Sequence, residues 1–304
     1  MTRPAYVAVD WGTSSFRLWL IDANGVVLAE RRSGEGMTTA ATSGFAAVLQ
    51  SHLDAVDAYA DLPVIICGMA GARQGWVEAG YVDLPAPLTS ILDKAVSVPG
   101  QARDIRILPG LAQRQDTAPD VMRGEETQLL GAVSQLGSGD QVICMPGTHS
   151  KWVHVSHGTV TGFSTFMTGE LFDVIAKHSI LSHAVSAADG ADEAAFADAV
   201  TTAYQAPALF SNLLFRLRAG QLLHGLSATA AQSKLSGTLI GLEIAGALST
   251  AKPDAAIGLV ASGRLLGLYS TAFRRLSLDF TIIDADEAAR NGLLAAAQTL
   301  WPLA

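Results

Sequence analysis

Along the first thirty positions apolar and polar residues alternate in the manner of paired strands. Tyr6 to Asp10, Ser15 to Asp22 and Val26 to Arg32 read as three strands, the last two joined at Asn24-Gly25, a dipeptide suited to a tight hairpin. The period then lengthens. From Ser43 to Tyr59 the apolar residues Phe45, Val48, Leu49, Leu53 and Val56 recur at helical spacing. Pro63 introduces a short apolar run, Val64 to Cys67, that reads as a buried strand ending at Gly68. The glycine-rich segment Gly68 to Gly80, with Arg73, Gln74 and Trp76, reads as a functional loop. Ile105 to Leu108 is a further strand, stopped by Pro109-Gly110, and Asp120 to Leu136 carries a helical stripe.

The second half repeats the scheme. Gln141 to Met145, Lys151 to Val155 and Thr159 to Phe166 form another three-strand meander. A helix from Gly169 with Thr168 as its cap follows, then long helices over Ala203 to Leu223 and Ser233 to Leu248. Strand Ala255 to Ala261, helix Gly263 to Leu276, strand Leu278 to Ile283 and helix Asp286 to Leu300 complete the chain. This alternation, given twice, predicts an α/β protein of two duplicated lobes, 1–118 and 119–304, with a cleft between them. A single doubly wound sheet explains the strands but not one further repetition. In both halves a strand ends in Gly-Thr-polar-Ser and a second strand follows. Gly12, Thr13, Ser14 and Ser15 pair at one offset with Gly147, Thr148, His149 and Ser150. A tight turn between strands points successive backbone N–H groups into one concavity, which suits a phosphate. Two such turns predict an ATP-dependent phosphotransferase.

Composition narrows the field. Hydrophobic residues are 49% and charged residues 16% of the 304, enough for two substantial cores. The net charge of −8, with no basic block, argues against a nucleic-acid or anionic-membrane surface. No run approaches a membrane span, the start MTRPAYVAVDWG lacks a signal-peptide core, and Cys67 and Cys144 each sit in an apolar run as buried free thiols. These features predict a cytoplasmic protein whose partners are small molecules; a homo-oligomer is compatible with them. GxxxxGK[ST], GxGxxG after the first strand and zinc-spaced Cys/His clusters are all missing.

The candidate chemistry gathers around the two turns. Asp10, two residues before Gly12, is placed to hold Mg²⁺ through water or, more simply, to cap the turn. Arg17 and Lys151 follow the turns, as phosphate-neutralising cations or as solvent-facing strand residues. Arg123 to Ala132, RGEETQLLGA, puts Glu125 and Glu126 side by side on a helix. About 100° separates neighbours there, so only one can face a substrate and receive its hydroxyl proton. The choice leans to Glu126. Arg73, whose planar fork matches a carboxylate, is the candidate for a substrate anion, with Gln74 and Glu170 beside it as substrate contacts. Gly263, after a buried strand, would let adenine lie on the backbone, or simply serves a strand-to-helix turn.

VDWGTSSFRLWLID, GMAGARQGW, LPGLAQ, DVMRGEETQLLGA, MPGTHSKWV and FSTFMTGELFDVI, in this order, resemble the 2-dehydro-3-deoxygalactonokinase family of the actin–hexokinase–Hsp70 superfamily. The resemblance covers nearly the whole chain. It implies two ribonuclease-H-like lobes closing on ATP–Mg²⁺ and a sugar acid. By position, Asp10 to Ser14 match the first phosphate loop, Gly147 to Ser150 the second and Gly258 to Gly267 the adenosine region. The second loop lacks the acidic residue many superfamily members place at its start, which leaves the metal to Asp10. The implied reaction is phosphorylation of 2-dehydro-3-deoxy-D-galactonate to its 6-phosphate in galactonate breakdown. A kinase for a related 2-keto-3-deoxy sugar acid, an exopolyphosphatase-like hydrolase and a non-catalytic nucleotide-binding regulator are the alternatives.

Overall fold

The expected first meander forms as β1 (Pro4–Trp11), β2 (Phe16–Asp22) and β3 (Val27–Ser33). The structure, a computed structural model, describes residues 3–133, 135, 137, 139–252 and 254–302. Next come α1 (Met37–Ser43), α2 (Phe45–Asp54), β4 (Val64–Gly68), β5 (Tyr81–Asp83), β6 (Ala86–Pro87), β7 (Val96–Ser97), β8 (Ile105–Ile107), β9 (Gly110–Gln113), β10 (Asp120–Met122) and α3 (Glu125–Ala132). The second series is β11 (Asp140–Met145), β12 (Ser150–Ser156), β13 (Thr159–Phe166), α4 (Thr168–His178), α5 (Ser182–Val185), α6 (Glu193–Gln205), α7 (Phe210–His224), α8 (Ala228–Leu248), β14 (Ala256–Ala261), α9 (Gly263–Arg275), β15 (Phe280–Asp284) and α10 (Ala285–Leu300).

One sheet runs β3-β2-β1-β4-β8-β7, with β1 antiparallel to β2 and parallel to β4. Another contains the order β13-β12-β11-β14-β15. In the second sheet the order reads third, second, first, fourth, fifth strand of its series; the first sheet repeats it through the fourth strand, with β8 in the fifth place and β5 and β6 lying in other sheets. That is the ribonuclease-H-like arrangement which the family resemblance implies for the two lobes. The first core packs Trp11, Phe16, Val48, Leu49 and Ile66; the second packs Trp152, Phe196, Ile240, Leu259 and Phe273.

By contacts the chain divides into a unit of residues 1–138, 155–162 and 283–304 and a unit of residues 139–154 and 163–282. This grouping is discontinuous, whereas the sequence suggests one division after residue 118. The reason within the first unit is α10, which lies against α3. A Cβ on Gly131 would stand 1.9 Å from the Ala288 carbonyl oxygen, and one on Gly292 the same distance from that of Thr127. The backbones therefore touch, and only glycine fits at either point.

Several expected helices are recut for local reasons. The helix expected over 43–59 is α2 alone, Phe45–Asp54: Gly44 at φ 88° separates it from the earlier α1, and it stops at Asp54. The one expected over 120–136 begins at Glu125, since Asp120–Met122 pairs with β9 and Gly124 has φ 107°; positions 134 and 136 lie outside the described residues. The helix expected over 203–223 is interrupted at Pro207, which lacks the N–H a helix needs. α6 instead starts earlier, at Glu193, capped by Asp192, which accepts from the Ala195 N–H at 2.9 Å. Thr168 is not a cap: it is the first residue of α4, and its hydroxyl turns to Glu243.

Candidate active site

In the first unit the turn from β1 to β2 closes when the Gly12 N–H donates to Ser15 O at 2.9 Å. Its carbonyls are spent on the segment entering α1: Met37 N–H donates to Gly12 O and Thr38 N–H to Thr13 O, at 2.9 and 3.1 Å. Among the described residues nothing accepts from the amides of Thr13 and Ser14, whose side chains are exposed. Tied carbonyls and unspent amides suit an anion better than a cation. Gly36 lets the backbones approach, because a Cβ there would meet Thr13 O at 2.4 Å.

Asp10 stands at the inner edge of this turn, 9% exposed. Its Oδ2 accepts from Arg17 Nη2 at 2.6 Å, and Arg17 Nη1 donates to Asp286, which Arg32 also grips at 2.7 Å. Burial raises the Asp10 carboxyl above its usual range; Arg17 opposes the rise and the charge of Asp286 adds to it. Arg17, expected to meet phosphate or solvent, is thus committed to two carboxylates. The Cys67 thiol, at the end of β4, hydrogen-bonds Asp10 and Thr127. Thr127 Oγ1 in turn donates to Glu126 Oε1 at 2.9 Å. A buried chain of polar groups therefore runs from Asp10 to Glu126.

The adjacent glutamates point apart, as helix geometry requires. Glu126 is 0% exposed, and its Oε2 accepts the Gly124 N–H at 2.7 Å. Burial, reinforced by the charge of Glu125, pushes its carboxyl up to about 7. Glu125 is partly exposed, with Oε2 accepting the Arg123 N–H at 3.0 Å.

The loop after β4 is braced rather than loose. Trp76 stacks on Phe45 with ring centroids 6.0 Å apart, and Arg123 Nη2 donates to Gly80 O at 2.6 Å while lying over the Tyr81 ring. Arg73 and Gln74 are exposed on it, and among the described residues Arg73 has no partner.

The second unit builds the same device from different residues. Glu170 N–H, in the first turn of α4, donates to Thr148 O at 3.1 Å, and no described residue accepts from the amides of Gly147, Thr148 and His149. Gly169 plays the part of Gly36: its Cβ would stand 2.7 Å from Gly147 O. Glu170 Oε2 pairs with His149 Nε2 at 2.5 Å, so this candidate substrate contact braces the turn. Lys151 is 5% exposed, not a solvent-facing strand residue.

A cavity of about 140 Å³ adjoins the turn, lined among others by Gly147, Thr168, Ser236, Ile240, Arg264 and Tyr269. Gly263 immediately precedes Arg264 and takes φ 57°, which itself accounts for glycine there. Under the turn lies a residue the sequence reading passes over except as a break in an apolar run. Glu243, 1% exposed, accepts from Trp152 Nε1 at 2.8 Å and from the Tyr269 hydroxyl at 2.7 Å. Tyr269 Oη also lies 3.1 Å from Ser150 Oγ, the last residue of the turn. The only sequence signal was a carboxylate breaking the apolar run Leu239 to Leu248.

A sequence profile of the 2-keto-3-deoxy-galactonokinase family matches residues 10–296. The chain is 62% identical over 304 residues to the "Probable 2-dehydro-3-deoxygalactonokinase DgoK1" of Rhizobium meliloti, covering 99% of each. It is 34% identical over 295 residues to the 2-dehydro-3-deoxygalactonokinase of Escherichia coli, covering 97% of this chain and 98% of that one. A crystal structure from Sinorhizobium meliloti, assigned to the same kinase, superposes with a TM-score of 0.95 at 62% identity, covering 98% of this chain and all of the other. The protein with the two amide-lined turns is a member of the 2-keto-3-deoxy-galactonokinase family.

Proposed function

We propose that the protein transfers the γ-phosphoryl group of ATP to the terminal hydroxyl of 2-dehydro-3-deoxy-D-galactonate, forming the 6-phosphate in cytoplasmic galactonate breakdown. Family membership supports the reaction, and one structural observation carries it: each ribonuclease-H-like unit offers a Gly-Thr turn with carbonyls tied back and amides unspent.

Phosphoryl transfer asks the protein chiefly for positioning and charge stabilisation. The amides of Thr13, Ser14, Thr148 and His149 serve phosphate oxygens, with Gly12 and Gly147 shaping the turns. Asp10 fits a Mg²⁺ ligand: it is a buried carboxylate beside a turn with unspent amides. One carboxylate with water and phosphate oxygens is a ligand set Mg²⁺ accepts. The ion would supply charge neutralisation on the nucleotide. Glu125 takes the role of base in preference to Glu126. A side chain with no exposed surface and both oxygens bonded to Gly124 and Thr127 does not meet a hydroxyl, whereas Glu125 has surface to do so. Glu126 then anchors the start of α3. Arg73, with Gln74, serves the substrate carboxylate from its braced loop. The cavity beside Gly147, reaching the residues after Gly263, serves adenosine.

The test is ADP release over a panel of 2-keto-3-deoxy sugar acids, with glycerol, hexoses and no acceptor as controls. The galactonate-derived acid is expected to give the highest kcat/KM. Phosphate release without any acceptor at a comparable rate would instead indicate a hydrolase.

A further inference from the structure

A second cavity in the second unit gathers positive charge that nothing in the candidate active site uses. α6, α7 and α8 enclose about 370 Å³ with Leu213, Leu217 and Leu226 as an apolar floor. Arg216, His224 and Lys234 also line it. Arg216 and His224 are eight residues apart on α7, two helical steps of four, so they share the face that carries Leu213 and Leu217. Lys234 approaches from α8.

Among the described residues, none of these three side chains has a hydrogen bond or an ion pair. Other cations of the same unit do: Lys177 with Asp173, Lys252 with Asp140 and Arg275 with Asp198. The chain has 28 Asp and Glu against 20 Lys and Arg, so carboxylates are in surplus, yet none lines this cavity. The like charges of Arg216 and Lys234 at one mouth repel each other until an anion arrives. Arginine's fork suits the oxygens of a phosphate, and lysine adds a point charge. An apolar floor suits a carbon skeleton.

We propose that this cavity binds a small phosphate monoester, a phosphorylated metabolite of sugar size, as an effector distinct from the nucleotide. The two cavities share no lining residue. α8 nevertheless lines both, presenting Lys234 and Thr238 to this one and Ser236, Leu239 and Ile240 to the one beside Gly147. An occupant here therefore touches the helix that shapes the other cavity.

Binding is read without turnover, so the outcome is independent of which sugar acid the enzyme phosphorylates. Thermal unfolding of the full chain is followed with glycerol 3-phosphate, inorganic phosphate or glycerol, each in the presence of saturating non-hydrolysable ATP analogue. Glycerol 3-phosphate is expected to raise Tm by about 2–4 °C at ten times its Kd, with glycerol inert. The double variant R216Q/K234M is expected to lose that rise while keeping its own Tm and its kinase turnover. Should the pair fail to fold, the single variants K234M and H224Q are each expected to weaken binding about tenfold. The proposal is overturned if the rise persists undiminished in the variants, if it is missing from the unsubstituted protein, or if the ATP analogue abolishes it. An equal rise with inorganic phosphate reassigns the site to the free ion and overturns the organic occupant.

Discussion

A carboxyl with no exposed surface gains proton affinity on folding, and Glu126 does so up to about 7 from an ordinary value of 4.5. The folded state then binds a proton that the unfolded chain releases, so the native form is favoured below about pH 4.5. That advantage disappears as pH rises through about 7, a loss on the order of 3 kcal/mol. Glu126→Gln removes the titration. Urea unfolding at pH 5 and pH 8 should show wild type losing stability relative to the variant; a difference independent of pH would contradict the assignment. Turnover separates the two glutamates as well. Glu125→Gln should lower kcat by about a hundredfold or more as loss of a general base, and Glu126→Gln much less. Equal, mild effects would leave neither as base. The sequence carried the pair but not the choice: which of two neighbours turns inward depends on Gly124 and on packing against β4, neither visible in one helix's pattern. Asp10 was legible for the opposite reason, because its place two residues before Gly12 fixes it at the strand end whatever surrounds it. What the sequence could not supply was its chain of partners, Arg17, Asp286 and Cys67, two of which are distant along the chain.

At the scale of elements, the paired turns were readable because a strand, a Gly-Thr turn and a second strand are all local. Their braces were not, because Gly36 and Gly169 stand 24 and 22 positions after Gly12 and Gly147. Gly169→Val is expected to force the second turn out of place, since its first side-chain atom alone stands 2.7 Å from Gly147 O and 2.8 Å from Thr148 Cα. The KM for ATP should rise about tenfold or more, with a smaller change in the KM for the sugar acid. A variant with both constants unchanged would remove the brace from the argument. The recut helices teach the same lesson from the other side. The helical stripe over 120–136 continues through Gly124, yet the β9 partner of Asp120–Met122 claims its first residues. Non-local pairing overrides a local period.

For the molecule as a whole, the lobes were legible as repeats of strand order, but not the discontinuity of the units, since no local signal says that α10 returns to the first one. The consequence can be measured. α10 buries Ala288, Ala289, Leu293, Ala296 and Ala297 completely, packs its backbone on α3 through Gly131 and Gly292, and carries the Asp286 that completes the Asp10–Arg17 network. Losing Leu293 alone would cost about 2–5 kcal/mol, against a total stability of roughly 5–15 kcal/mol for a typical domain. A chain ending at residue 284 should therefore keep the second unit's fold while the first melts at lower temperature or fails to fold, and its kinase turnover should vanish with Asp10 left in a disordered pocket. Tryptophan reports the difference, because Trp11 and Trp19 lie in the first unit and Trp152 in the second. Single-tryptophan versions of the truncated chain should lose the buried emission of Trp11 and Trp19 and retain that of Trp152. If all three kept native emission and a single melt at the full-length Tm, the closing helix would be dispensable, and the division of the chain into these two units would be wrong.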